Sequence, residues 1–283
     1  MAETDFGKPE AFFARHGASY RNPILIRKTL AVLRDPTCAA ADLVQVLEKE
    51  PGLSSKVLKA ANSPFFGTPK SITSLKAAIV RLGNQNVSRF AMAAALGSSG
   101  GAGWSDFWRH SYAVALLTRH IASFLGGYTR QEEEELFTMG LLHDLGVMLE
   151  IGSGLFPQVE GELRKHPAQL EEAERTVFGF DHLQLGRVAA ESWNFPGDLV
   201  DAIAHHHHPE LSREYYPKIS VVHLANVVCH GFKFFTTQGE EPPATQESYL
   251  QDLNLPVEQL VLFGGWLMEQ KPEIDAYGEM MGG

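Results

Sequence analysis

Apolar residues recur at helical spacing through most of this chain. Ile24 to Leu33 and Ala40 to Leu47 carry such stripes, parted by Arg34-Asp-Pro-Thr37, where a proline ends the first. Pro51-Gly52 breaks the pattern again before Leu53, Val57, Leu58 and Ala61 form a further stripe. Beyond a Pro- and Gly-containing loop from Ser63 to Lys70, Ser74 to Leu82 predicts an amphipathic helix with Gly83 as a left-handed C-cap, and Val87 to Leu96 an alanine-rich helix suited to close packing. Gly97-Ser-Ser-Gly-Gly-Ala-Gly103 is the clearest composition shift and predicts a hinge or subdomain boundary. Trp104 to Leu125 then reads as one long helix stopped by Gly126-Gly127. Arg130-Gln-Glu-Glu-Glu-Glu135 places acidic residues in the first turn of the next helix, which runs through His143 and Asp144 to near Gly152-Ser-Gly154.

Shorter helices follow at Pro157 to Lys165 and Gln169 to Val177, and Asp181 can N-cap one reaching about Trp193. Pro196 suits the first turn of a helix bearing Leu199, Val200 and Ile203 that ends in His205-His-His-His-Pro209. Lys218 to Phe235 and Val257 to Met268 complete the pattern, separated by a polar, mobile loop from Thr236 to Ser248. No stretch reads as a strand, so the expected fold class is all-α.

Composition narrows the picture. At 283 residues and 44% hydrophobic, the chain can bury one large core or two ordinary ones. A net charge of −10 and a pI near 5.6 argue against direct nucleic-acid binding through a broad electrostatic surface. Cys38 and Cys229 stand far apart and outside any CxxC pattern, which points to a reducing cytoplasm rather than a disulfide framework or cysteine zinc site. The first ten residues lack a basic and an apolar leader region, and no apolar run approaches the roughly 20 residues that span a bilayer. The expectation is a cytoplasmic chain with no membrane association.

Chemistry concentrates in Met139-Gly-Leu-Leu-His-Asp-Leu-Gly-Val-Met-Leu149. Burying His143 and Asp144 among these apolar residues is costly unless each has a partner. Neighbouring helix positions are about 100° apart, so both side chains can lean toward one metal ion; a hydrogen-bonded pair fixing adjacent helices is the alternative. Of the twelve histidines, His110, His182 and the run His205 to His208 also sit at helix ends or on apolar faces. Imidazole and carboxylate are ligands for Zn, Fe, Mn or Ni. His182, next to Asp181, suits a capping region as well as a ligand set.

The order His110, His143-Asp144, His182 with Gly186, then His206-His207 resembles the HD superfamily of metal-dependent phosphohydrolases. Glu50-Pro-Gly-Leu-Ser-Ser-Lys-Val-Leu-Lys-Ala-Ala-Asn-Ser63 and Ala78-Ile-Val-Arg-Leu-Gly83 resemble the N-terminal part of the HDOD family. Phe107-Trp-Arg-His-Ser111, Trp193-Asn-Phe-Pro196 and Ala202 to Pro209 extend the likeness over about Asn22 to Met268. The resemblance implies a polar extension at 1–21, an N-terminal helical subdomain at 22–96, the hinge at 97–103, and an HD-like helical bundle at 104–283 against which the N-terminal subdomain packs. It implies one or two divalent transition metals on His110, His143, Asp144, His182, His206 and His207, with His205 and His208 as flanking extras.

Two positions depart from the catalytic relatives. Val147 stands where HD-GYP phosphodiesterases carry a phosphate-contacting lysine, and Asn226 stands where HD enzymes carry their last metal-binding aspartate. No Asp-Gly-x-Gly-Tyr-Pro follows the histidine run, which continues Glu210-Leu-Ser-Arg-Glu-Tyr-Tyr-Pro217. The expectation is therefore a bacterial HDOD-type signal-transduction module, non-enzymatic and with a degenerate HD site that still binds metal, acting on a signalling protein partner. The alternative is a metal-dependent phosphohydrolase for a nucleotide or cyclic dinucleotide, in which Asp144 would be the catalytic ligand.

Overall fold

Capping chemistry sets many of the element boundaries. Ser74 Oγ accepts from Ala77 N at 3.2 Å, and Thr129 and Asp181 each form a reciprocal capping box, with Glu132 and Gln184 respectively. Each box satisfies donors that the first helical turn leaves open. A computed structural model of the chain describes residues 6–17, 29–31, 47, 51–62, 72–96, 103–234, 237–243 and 247–282. Its helices in chain order are α1 (Pro9–His16), α2 (Pro51–Ala61), α3 (Leu75–Leu82), α4 (Asn84–Leu96), α5 (Trp104–Leu125), α6 (Arg130–Leu142), α7 (Leu145–Ser153) and α8 (Phe156–Lys165). They continue as α9 (Leu170–Phe178), α10 (His182–Ser192), α11 (Gly197–His205), α12 (Tyr216–Gly231), α13 (Glu247–Asp252), α14 (Glu258–Glu269) and α15 (Lys271–Gly282). The described residues contain no strand, only one isolated bridge between Ala168 and Glu240, and the fold is all-α. No single helix among them is long and apolar enough to cross a membrane.

The chain forms two compact units, 20–108 with 272–283, and 1–19 with 109–271. In the first, α2, α3 and α4 pack on one another. Asn62, just past α2, donates to the carbonyls of Leu58 and Ile72 at 2.8 Å each, while its Oδ1 accepts from Ile72 N at 2.7 Å. One amide thus closes the chain between α2 and α3. In the second unit, α10 lies against α7 and α11, and Phe12 of α1 is wedged 5.5 Å from the rings of both Phe178 and Phe180.

Several sequence expectations differ from what is observed. The helix through His143 and Asp144 is broken there: His143 ends α6 in helical geometry, whereas Asp144, at φ −93° and ψ 35°, starts α7. Glycines on either side of the turn explain the break. A Cβ on Gly140 would stand 2.9 Å from Ala115 Cα of α5, and one on Gly146 would stand 2.0 Å from His182 O. Each half therefore runs into backbone contact with a different neighbour. Gly83 does take a positive φ of 80°, but its ψ of 154° lies outside the left-handed helical region. Residues 9–16, within the polar extension, form a helix anchored by Phe12, and the loop after α12 contains both the Ala168–Glu240 bridge and the start of α13. Lys271–Gly282, which carries no clear stripe, is helical and buries Ile274, Tyr277, Met280 and Met281. The stripes before Leu47, the loop at 63–70, the hinge at 97–102 and Cys38 lie largely or wholly outside the described residues. Cys229 is buried and unpaired, and burial pushes its thiol well up.

Candidate metal centre

Four helices, α5, α6, α10 and α11, bring imidazoles to one carboxylate. Asp144 Oδ2 faces His143 Nε2 at 3.1 Å and His110 Nε2, from α5, at 3.6 Å. Asp144 Oδ1 faces His206 Nε2, just past α11, at 3.3 Å and His182 Nε2, first residue of α10, at 3.8 Å. Each oxygen thus has its own pair of imidazoles. His207 joins on the Oδ1 side, its ring centroid 5.1 Å from that of His182 and 4.4 Å from that of His206. The structure thereby brings together all six residues singled out in the sequence. Their donor atoms fall into two groups, His110–His143–Asp144 and His182–His206–His207, each spanning no more than 4.8 Å.

The other ring nitrogens are anchored. His110 Nδ1 donates to Phe234 O at 3.0 Å, His143 Nδ1 to Gly140 O at 2.8 Å and His206 Nδ1 to Ile203 O at 3.2 Å. His182 Nδ1 donates to Glu174 Oε2 at 2.7 Å, and His207 Nδ1 to Glu171 Oε1. Each anchor fixes the tautomer that leaves Nε2 as the free lone pair, the arrangement characteristic of metal-ligating histidine. The Nε2 atoms of His110, His143, His182 and His206 are buried and lack an aligned hydrogen-bond partner, although His143 Nε2 lies near Asp144. Four converging orphan acceptors beside a carboxylate fit a divalent cation.

Electrostatics agree with that chemistry at Asp144, His110 and His206, whereas at His182 the neighbouring carboxylates favour the imidazolium, whose Nε2 proton a metal would have to displace. Burial opposes ionisation of Asp144, but the surrounding imidazoles, His143 and His206 foremost, hold its carboxyl well below the usual range. Burial, reinforced by His207, holds His206 well below the ordinary imidazole value, and burial likewise lowers His110. Burial would also lower His182, yet the carboxylates of Glu174, Asp144 and Glu171 hold it well above that value.

The remaining sequence candidates flank this core. Asn226, on α12, is 1% exposed; its Nδ2 stands 3.3 Å from His207 Nε2 and its Oδ1 lacks a partner. Val147 is buried on α7. His208 turns outward, with its side chain 52% exposed. Sequence reasoning missed Glu171 and Glu174, both buried on α9 and serving as anchors for His207 and His182. The available signal was their i, i+3 spacing beside Leu170, Ala173 and Phe178, the apolar face of an otherwise charged helix.

Comparison with known proteins agrees with this architecture. An uncharacterized protein of Treponema pallidum (strain Nichols) is 25% identical over 219 residues, covering 72% of this chain, which spans only 41% of that relative's length. Among solved structures, an HDOD domain protein of unknown function from Geobacter sulfurreducens superposes with a TM-score of 0.69 at 23% identity, covering 91% of each chain. A candidate signal transduction protein from Marinobacter aquaeolei gives a TM-score of 0.77 at 22% identity, over 92% of this chain and 59% of that one. A candidate phosphohydrolase from Shewanella amazonensis gives 0.67 at 23% identity, over 95% and 97%. At these identities the structural likeness speaks to fold. Residues 21–209 match the HDOD domain, and the chain belongs to that family.

Proposed function

We propose that this chain is a cytoplasmic HDOD signal-transduction module whose HD-type pocket holds one or two divalent metal ions and performs no hydrolysis. The observation that carries the reading is the convergence of four anchored imidazoles, through Nε2, on the two oxygens of Asp144. His110, His143 and Asp144 would hold one ion, and His182, His206, His207 and the second oxygen of Asp144 the other. Iron, manganese, zinc and nickel all suit this nitrogen and carboxylate set. A divalent ion there would supply Lewis acidity and lower the pKa of a bound water.

Two features argue that this chemistry is not used on phosphate. Val147 is buried and apolar, and the ion-pair partners of Asp144 among the described residues are all histidines. Asn226 is neutral, so it adds no anionic ligand. The pocket then serves as architecture that metal or a nucleotide ligand can stabilise, and the output is contact with a signalling protein. The name of the Marinobacter relative supports that class of role.

A second reading, hydrolysis of a nucleotide or cyclic dinucleotide, is favoured by the completeness of the histidine set and by Asp144, whose side chain keeps 13% exposure. Turnover assays separate the two. Full-length chain reconstituted with iron or manganese is expected to release no product from cyclic dinucleotides or phosphomonoesters above background. Turnover that disappears in Asp144→Ala would overturn the non-enzymatic reading.

A further inference from the structure

The connection after α12 is more tightly built than its polar sequence suggests. Ala168 N donates to Gly239 O at 3.3 Å and Glu241 N to Ala168 O at 2.9 Å. Gly239 has a φ of 92°, and a Cβ there would stand 2.3 Å from Leu163 O, so only glycine lets this segment lie on the end of α8. Within it, Glu240 N donates to Thr237 O at 3.0 Å and Thr237 N donates to Glu240 Oε2 at 2.8 Å. This closed turn carries the Glu240 carboxylate inward.

Glu240 reaches the flank of the metal centre. Its side chain is 9% exposed, and its second oxygen lies 3.6 Å from His230 Nδ1, a buried ring atom with no aligned hydrogen-bond partner. The His230 ring meets that of His110 at 5.2 Å and 71°. Phe234 O, on the same connection, accepts from His110 Nδ1 at 3.0 Å. One short stretch of chain therefore fixes His110 through its backbone and places a carboxylate behind it. Burial pushes the Glu240 carboxyl up to about 7, so its charged form is costly unless a cation compensates it. Asn226, which is neutral, interacts with His110 and stands 3.3 Å from His207 Nε2, so it borders both donor groups and adds negative charge to neither. Glu240, through His230, and Asn226 both approach His110.

We infer that Glu240, acting through His230, is the outer carboxylate of the His110–His143–Asp144 position and supplies there the negative charge that Asn226 does not. It is a positioning residue, not a ligand. The inference rests on the metal-centre reading above and makes a claim that reading does not: charge at position 240 and charge at position 226 are interchangeable.

Binding of Mn2+ to the full-length chain, measured for the native protein, Glu240→Gln, Asn226→Asp and the double variant, tests this. Glu240→Gln keeps the shape of the side chain and removes its charge. It is expected to weaken one Mn2+ equivalent by about 10-fold, the lower end of what a group hydrogen-bonded to a ligand contributes, with the melting temperature within a few degrees of native. Asn226→Asp added to Glu240→Gln is expected to restore that equivalent. Unchanged binding in Glu240→Gln would overturn the inference while leaving the metal centre standing, as would a loss that Asn226→Asp does not restore. A native chain that binds no Mn2+ would overturn both.

Discussion

Asp144 takes its importance from position. Placed at the turn between α6 and α7 rather than inside a helix, it presents one oxygen to His110 and His143 and the other to His182 and His206. The adjacency of His143 and Asp144 was legible in the sequence, but the turn was not, because Leu142, Leu145, Met148 and Leu149 continue an apolar stripe across it. Gly146 and Gly186 hold the surrounding backbones together, and they should differ in consequence. A Cβ at Gly146 meets the His182 carbonyl at 2.0 Å, a backbone atom next to a site residue. A Cβ at Gly186 would stand 2.6 Å from Ile203 Cγ2, a side-chain methyl rather than backbone, and 3.1 Å from Gly146 N, both less severe than the 2.0 Å approach at Gly146. Overpacking typically costs about 1–3 kcal/mol. Gly146→Ala is expected at the upper end of that range and Gly186→Ala at the lower, read by chemical denaturation. Equal losses would show that the α7–α10 approach is not what Gly146 secures.

At the scale of elements, the sequence was most informative where one face is apolar over many turns. The stripe of α5 from Trp104 to Leu125 matches the observed helix end to end, and the capping role of Asp181 is realised as a full capping box. It was least informative where burial depends on a distant partner. Beyond the i, i+3 spacing of Glu171 and Glu174 on the apolar face of their helix, nothing local marks these carboxylates or Glu240 as buried: Glu171 is held by His207, 36 residues on, Glu174 by His182, eight residues on, and Glu240 by a turn in an irregular connection. Helix α15 was missed for the same reason: its buried residues are interleaved with Glu273, Asp275 and Glu279, and their partners include Trp108, whose ring lies 6.5 Å from that of Tyr277. Burying such side chains contributes about 1.5–3 kcal/mol each, and α15 contributes four. A chain ending at Gln270 should therefore show strong destabilisation of the 20–108 unit by calorimetry, with the metal content of the other unit retained. Loss of metal at the same time would indicate that the two units do not unfold separately.

At the scale of the whole molecule, both compact units are discontinuous in sequence, each combining a central block with a terminal segment. The site residues all belong to one of them, between His110 and Glu240. The chain carries a net charge of −10, yet the centre of that unit gathers imidazoles and carboxylates whose free electron pairs point at one another. An arrangement of that kind is explained by a cation, and every functional statement above depends on it. The direct test is the metal-to-protein ratio of the full-length chain, purified without metal-affinity resin, compared with Asp144→Ala. The expected result is one to two equivalents of a divalent transition metal in the native chain and close to none in the variant. A native chain that stays empty after incubation with iron, manganese, zinc and nickel, or a ratio that Asp144→Ala leaves unchanged, would contradict the account.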